Sequence, residues 1–229
     1  MSTLTDPEPS PSKPSLNAGE RVADELRQRL VAGAYRPGQR LSEQALSEDL
    51  GISRNTLREV FRMLTRDGLL RHEPNRGVFV AAPDAASIID IYRVRRLIEC
   101  PALAGAYPHH PGLVRMNEAV RQALAAREQS DWRGVGTANM AFHMAVVELA
   151  DSPRLNHLFG QLLAELRLAF GLVQDPAAVH GPYVDMNAQI LSLAGQGKFT
   201  EATQALGHYL TQSERVVLAV IARQSPSDA

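Results

Sequence analysis

The chain has 229 residues, enough for one large domain or two small ones with a packed core. Lysines and arginines number 24 against 25 acidic residues, so at a net charge of -1 the whole protein is no basic nucleic-acid coat, and any such affinity must come from a local patch. Cys100 is the single cysteine, which excludes an intrachain disulfide and suits a reducing cytoplasm, and no apolar run approaches the ~20 residues that a membrane helix needs.

In chain order, residues 1–16 carry Pro7, Pro9, Pro11 and Pro14 among serines, with no apolar core, and a disordered tail is expected. Asn17 to Glu20 matches a capping box, Val22, Leu26 and Leu30 give the buried face of a first helix, and Gly33 ends it. Arg36-Pro37-Gly38 has proline and glycine where a type II turn needs them. Leu41 to Val80 then reads as helix, tight turn, helix and a two-stranded hairpin. Ser42 caps the first of these helices, where Ala45, Leu46 and Leu50 recur at helical spacing, and Gly51 comes next in the left-handed C-terminal position. Ser53 caps the second, whose Leu57, Val60, Phe61 and Leu64 form one apolar stripe, and Gly68 ends it. Leu69-Leu70 and Val78-Phe79-Val80 are extended runs joined by the turn-rich Glu73-Pro74-Asn75-Arg76-Gly77.

That order is a winged helix-turn-helix over residues 17–82. Arg54, Arg58, Arg62 and Arg66 recur every four residues, and Arg71 and Arg76 carry the charge into the hairpin. Lys13 and Lys198 are the only lysines, so arginine is a habit of this chain, and the stripe alone fits a solvated helix face equally well. Capped helices, wing and stripe together point to double-stranded DNA. Arg54, Asn55, Thr56 and Arg58 are the candidates for the major groove, where Arg bridges guanine O6 and N7 and Asn bridges adenine N6 and N7. Ser42, Gln44 and Ser53 would meet phosphates from helix N-termini. Arg76 and Gly77 would bring the wing tip to the minor groove, glycine allowing close approach. One such module touches few base pairs, so a homodimer on a palindromic operator is expected.

Pro83 breaks the chain and Asp84 can cap the next helix. Helical stretches are expected at 84–107, 112–129, 131–150, 153–173, 182–196 and 199–222, with a kink at Pro101 and no convincing strand. The fold class is therefore mostly α: an N-terminal winged helix-turn-helix, then an all-helical bundle over residues 83–222, to which the family resemblance described below assigns effector binding and dimerisation, with a tail at 223–229. Asn139 and His143 share one helix face among Phe142, Val146 and Val147, and His208 lies between Leu206 and Leu210. They are either core polars bonded to one another or, with Arg95 and Arg96, the lining of a ligand cavity.

These residues resemble a known family. Pro37-Gly38, Leu41, Ser53-Arg54-Asn55-Thr56-Leu57-Arg58-Glu59, Asp67-Gly68-Leu69-Leu70 and Asn75-Arg76-Gly77 are similar to the winged-helix motif of GntR regulators, though members often carry Thr-Pro where Asn55-Thr56 stands. Thr56-Leu57-Arg58-Glu59-Val60 with Arg66-Asp67-Gly68 is close to the fatty-acid-responsive regulator of that family. The second half resembles its all-helical FCD effector domain, through Arg95 and Glu99, Phe142-His143 and His208-Tyr209-Leu210.

The resemblance implies a cytoplasmic transcription factor, a repressor, controlled by a small effector. An anion, such as a carboxylate, is expected among Arg95, Asn139, His143, Asn187 and His208. The family's metal site is altered, since Asn139 and Asn187 stand where it has aspartate and histidine. Amides are poor ligands for first-row metals, so no cofactor is expected; a zinc-like ion, if held, would use His143 and His208 with Asn139 and Asn187. Two alternatives remain. One is a metal-dependent enzyme built on His143 and His208, although no phosphate loop or nucleophile elbow accompanies them. The other is a DNA-binding protein without a ligand.

Overall fold

The computed structural model describes residues 18–171, 173 and 175–223. The expected N-terminal tail, the cap at Asn17 and nearly all of the C-terminal tail lie outside them. The elements run α1 (Ala18–Val31), β1 (Arg40–Leu41), α2 (Glu43–Asp49), α3 (Arg54–Arg66), β2 (Leu70–Glu73), β3 (Gly77–Val80), α4 (Ala85–Ala104), α5 (Pro111–Glu128), α6 (Trp132–Glu148), α7 (Pro153–Phe170), α8 (Pro176–Gly195) and α9 (Phe199–Ala222).

Local chemistry accounts for the winged domain. The Ser42 hydroxyl accepts from the Ala45 N–H, and the Ser53 hydroxyl accepts from the Thr56 N–H, so each helix of the pair has one otherwise orphan donor satisfied. Gly51, at φ 63°, turns the chain between them, a conformation costly for any residue with a Cβ. Leu57, Val60, Phe61 and Leu64 are buried as the stripe requires. On α2 the buried residues are Leu46 and Ser47, and Ala45 faces solvent.

The wing departs from the expected hairpin. It is a three-stranded antiparallel sheet in the order β1-β3-β2, with Arg40 opposite Phe79 and Leu41 opposite Val78. A two-residue strand is too short to show alternation. Only the free edge of β3 makes it a strand.

The bundle contains all six expected helices. The largest difference is at α8, which begins at Pro176 and not at residue 182. Asp175-Pro176 looks like a break, but proline at the first helical position loses no hydrogen bond there. Pro182 lies within the helix, where the buried Val179, Tyr183 and Val184 hold the turn in place. Helix α4 contains Pro101, as expected, and ends at Ala104, short of the expected residue 107.

Helix α7 belongs to both halves. Phe159, Leu163, Leu166 and Ala169 are buried in the bundle core, whereas Ala164 and Leu168 are buried in the core of the winged domain with Leu26, Leu57 and Leu64. Gln161, on the winged-domain side, donates to Asp67, the C-cap of α3, at 3.2 Å, and Arg27 of α1 binds the other Asp67 oxygen at 2.7 Å. Leu168→Ala should therefore lower the stability of the winged domain by about 2–5 kcal/mol, although the substitution lies about a hundred residues away along the chain. Urea unfolding followed by amide exchange of α1 and α3 measures this; unchanged protection there would contradict the shared core.

Candidate functional site

Two regions carry chemistry, and α7 stands between them. The first is the outer face of α3 with the wing. Arg54, Asn55 and Arg58 are exposed on α3, and Thr56 is half-buried because its hydroxyl meets that of Ser53 at 2.9 Å. Ser42 and Ser53 sit at the N-termini of α2 and α3, and Gln44 is exposed, donating to Glu48 at 3.1 Å. Arg58 donates to Glu43 at 3.1 Å, and Arg76 pairs with Glu73 at 2.5 Å. Both arginines are well exposed, and such pairs contribute only about 0–1 kcal/mol, so a phosphate or base edge can displace the carboxylate.

Gly77, at φ 105°, packs against the Arg40 guanidinium, which a Cβ at Gly77 would approach to 3.3 Å. No sequence motif marks Arg40 as a contact. It is exposed, no carboxylate among the described residues pairs with it, and it brings a further cation to the wing. Only the pairing of β1 with β3 brings it there.

The second region is the centre of the bundle. Arg95, Glu99, His143, Asn139 and Asn187 are buried, with 2%, 0%, 0%, 8% and 3% exposure. Arg95 Nε donates to Glu99 Oε1 at 2.7 Å, and His143 Nδ1 lies 2.5 Å from Glu99 Oε2. Burial opposes the charge on Glu99, yet Arg95 and His143 outweigh it and hold the carboxyl below the usual range. Burial pushes His143 below its usual value, and Arg95 adds to this against the pull of Glu99. A neutral imidazole protonated at Nδ1 therefore donates to Glu99 and leaves Nε2 as an acceptor.

Asn139 Oδ1 accepts twice, from Asn187 Nδ2 at 2.8 Å and from the Tyr209 hydroxyl at 2.9 Å. The Tyr209 ring packs on His143 and on Tyr183, with centroids 4.7 and 4.9 Å apart. Arg95 also stacks over Tyr92, whose hydroxyl meets Ser213 at 2.6 Å.

The structure thus brings together four of the five expected positions and not the fifth. His208 is exposed, and its neighbour Tyr209 turns inward instead. A 3.6-residue period allows either to face the core, and the larger aromatic fills the space beside His143. Arg96 also turns away and binds Glu214 at 2.8 Å. Tyr92, Glu99, Tyr183, Tyr209 and Ser213 join the centre. Glu99 at i+4 from Arg95, and Asn187 at i+4 from Tyr183, are spacings that hint at this. Among the described residues four buried side-chain atoms there make no hydrogen bond of ordinary geometry: Arg95 Nη2, His143 Nε2, Asn187 Oδ1 and Tyr183 Oη, the last lying near Ser213.

A model of the bacterial regulatory proteins of the gntR family matches residues 18–80, and a model of the FCD domain matches residues 90–212. The chain belongs to the GntR family, in the branch that carries an FCD domain. A transcriptional regulator GntR from Rhodococcus sp. RHA1 is 40% identical, covers 88% of this chain and 97% of its own, and superposes with a TM-score of 0.84. The galactonate operon transcriptional repressor of Escherichia coli (strain K12) is 28% identical over 167 residues, 63% of this chain and 72% of that protein. The match to the regulator YdhC of Bacillus subtilis (strain 168), 32% identical over 76 residues, covers 33% of this chain and only 34% of that protein. Family membership makes the chain a transcriptional regulator and sets aside the enzyme alternative.

The metal that the FCD branch implies does not fit the donors of this GntR regulator. Asn139 Oδ1 is engaged by two hydrogen-bond donors, His208 faces outward, and His143 Nδ1 is turned to Glu99. Among the described residues no group of three histidine, cysteine or acidic side chains could hold such an ion.

The buried groups give the regulator a definite acid response. His180 of α8 is held down to about 4 by burial and then by Arg167, against 6.5 for a free imidazole, and His143 is lowered too. As pH falls through 6.5 the unfolded chain takes up these protons and the native state does not. Stability present above that pH is therefore lost progressively toward pH 4, and the lowered Glu99 extends the loss below its ordinary 4.5. Melting temperatures measured from pH 7 to pH 4 should decline throughout; a flat profile would contradict the buried, neutral imidazoles.

Proposed function

We propose that this GntR regulator is a homodimeric repressor whose hold on a palindromic operator is set by a small carboxylate bound at the bundle centre. The four buried atoms without an ordinary hydrogen bond carry the effector reading. An unsatisfied buried polar atom costs about 1–3 kcal/mol, and four of them on four neighbouring side chains mark a place that a polar ligand completes. Arg95 Nη2 suits one oxygen of the carboxylate. His143 Nε2 and Asn187 Oδ1 suit ligand hydroxyls, and Tyr183 can donate or accept. Because Glu99 already balances Arg95, a small hydroxy acid fits better than a polyanion. The resemblance to the galactonate operon repressor supports repression as the sign of control.

Dimerisation is supported by the apolar side chains left on the bundle surface. Leu97, Val114 and Leu158 are 69%, 70% and 56% exposed, and Leu97 borders an open groove with Tyr107 and Leu155. In such a dimer Arg54, Asn55, Thr56 and Arg58 of each copy enter the major groove. Ser42, Gln44 and Ser53 hold phosphates, and Arg40, Arg76 and Gly77 approach the minor groove. No helix among the described residues is long and apolar enough to cross a membrane, and we place the regulator with its DNA in the cytoplasm.

Arg58→Ala should weaken specific operator binding by about 1–3 kcal/mol, as should Arg54→Ala, whereas Arg62→Ala, on the same stripe, should do less. A gel-shift titration in which both of the first two variants bind as wild type would exclude this surface as the reader. For the effector, a thermal-shift screen of small hydroxy acids should give a hit, and Tyr183→Phe should weaken that hit about three- to tenfold by removing one hydrogen bond. A hit insensitive to Tyr183→Phe and to His143→Gln would bind elsewhere.

A further inference from the structure

We infer that the cleft between the winged domain and the bundle is a second small-molecule site, selective for an aromatic carboxylate. The cleft has a volume of about 260 Å³ and runs between the end of α1 with its succeeding turn and the facing ends of α6, α7 and α8. That is slightly below the roughly 300 Å³ at which ligand pockets begin, so the ligand is small. The site is separate from the bundle centre and shares no lining residue with it.

Its electrostatics are unbalanced. Arg167 of α7 is partly buried, yet among the described residues no carboxylate pairs with it. Among the described residues its hydrogen bonds are two long ones to backbone carbonyls, from Nε to Val31 O at 3.4 Å and from Nη2 to Arg133 O at 3.3 Å. Arg133 of α6 lines the same cleft, is exposed, and also lacks a carboxylate partner among the described residues. Partly buried cations are normally paired, and these two repel one another. Burial and then Arg133 lower the affinity of Arg167 for its own proton. An anion between the two guanidiniums removes both penalties, and a carboxylate matches their planar forks.

The remaining walls select the body of that anion. Trp132, Tyr35 and Phe170 line the cleft with the His180 ring, which is 5% exposed and lies 5.0 Å from Phe170. His180 is neutral at ordinary pH, so it presents a ring face and not a charge. Flat apolar walls beside two cations suit an aromatic ring that bears a carboxylate. Gly136 keeps the floor open, since a Cβ there would collide with Arg167 Nη1 and lie 3.2 Å from His180 Nε2. A ligand held here touches both domains at once and fixes the angle at which the bundle presents the winged domain.

The test uses the full chain and a built-in reporter. Trp132 is the only tryptophan, and it lies in the cleft. Benzoate and phenylacetate, which do not absorb where tryptophan is excited, should each give a saturable change in its fluorescence. Arg133→Gln removes an exposed charge without disturbing the core and should weaken binding about tenfold; Arg167→Gln should weaken it further. Tyr183→Phe, at the bundle centre, should leave it unchanged. No saturable signal with either probe overturns the inference, as does a signal that Arg133→Gln and Arg167→Gln leave intact. A signal lost in Tyr183→Phe instead would assign the probe to the bundle centre, supporting the effector reading and overturning this one.

Discussion

Helix α7 has two buried faces, and the architecture rests on that. Ala164 and Leu168 complete the core beneath α3, and Phe159, Leu163 and Leu166 complete the core of the bundle. A helix packed on both sides cannot shift for one domain without moving the other, because close-packed interiors transmit displacement and do not absorb it. The polar contacts at this junction are specific as well. Asp67 caps α3 and is gripped by Arg27 from its own domain and by Gln161 from α7. The orientation of α3 is thereby tied to the packing of the bundle.

The bundle centre is polar where a helical core is normally apolar. Arg95 and Glu99 are both buried, and such a pair persists only when its remaining donors and acceptors are met. Arg95 and His143 meet the two oxygens of Glu99, Tyr92 stacks against Arg95, and the unmet atoms cluster on neighbouring side chains. The asparagines matter here: Asn139 and Asn187 bond to each other, which a carboxylate and an imidazole around a metal would not do.

The candidate DNA surface concentrates charge locally. A net charge of -1 leaves the whole molecule with little attraction for nucleic acid, while Arg40, Arg54, Arg58 and Arg76 gather on one side of the winged domain. Their carboxylate partners, where present, are themselves exposed or easily displaced, so these arginines are lightly held rather than neutralised.

Much of this was legible along the chain. The caps at Ser42 and Ser53, the turn at Gly51 and the stripe from Leu57 to Leu64 are local, and local chemistry decides them: a hydroxyl three residues before a free N–H, a missing Cβ, a 3.6-residue period. The six bundle helices and the exposed arginines of α3 arise in the same way. What needed the tertiary structure is whatever depends on a distant partner. Strand β1 exists only on the edge of β3, α8 starts at Pro176 because later residues bury it, and Tyr209 rather than His208 faces the centre because of what stands opposite. The double role of α7 belongs here too, as does the absence of a carboxylate beside Arg167 among the described residues, since periodicity shows that a helix has an apolar face but not how many cores it serves or which charges meet.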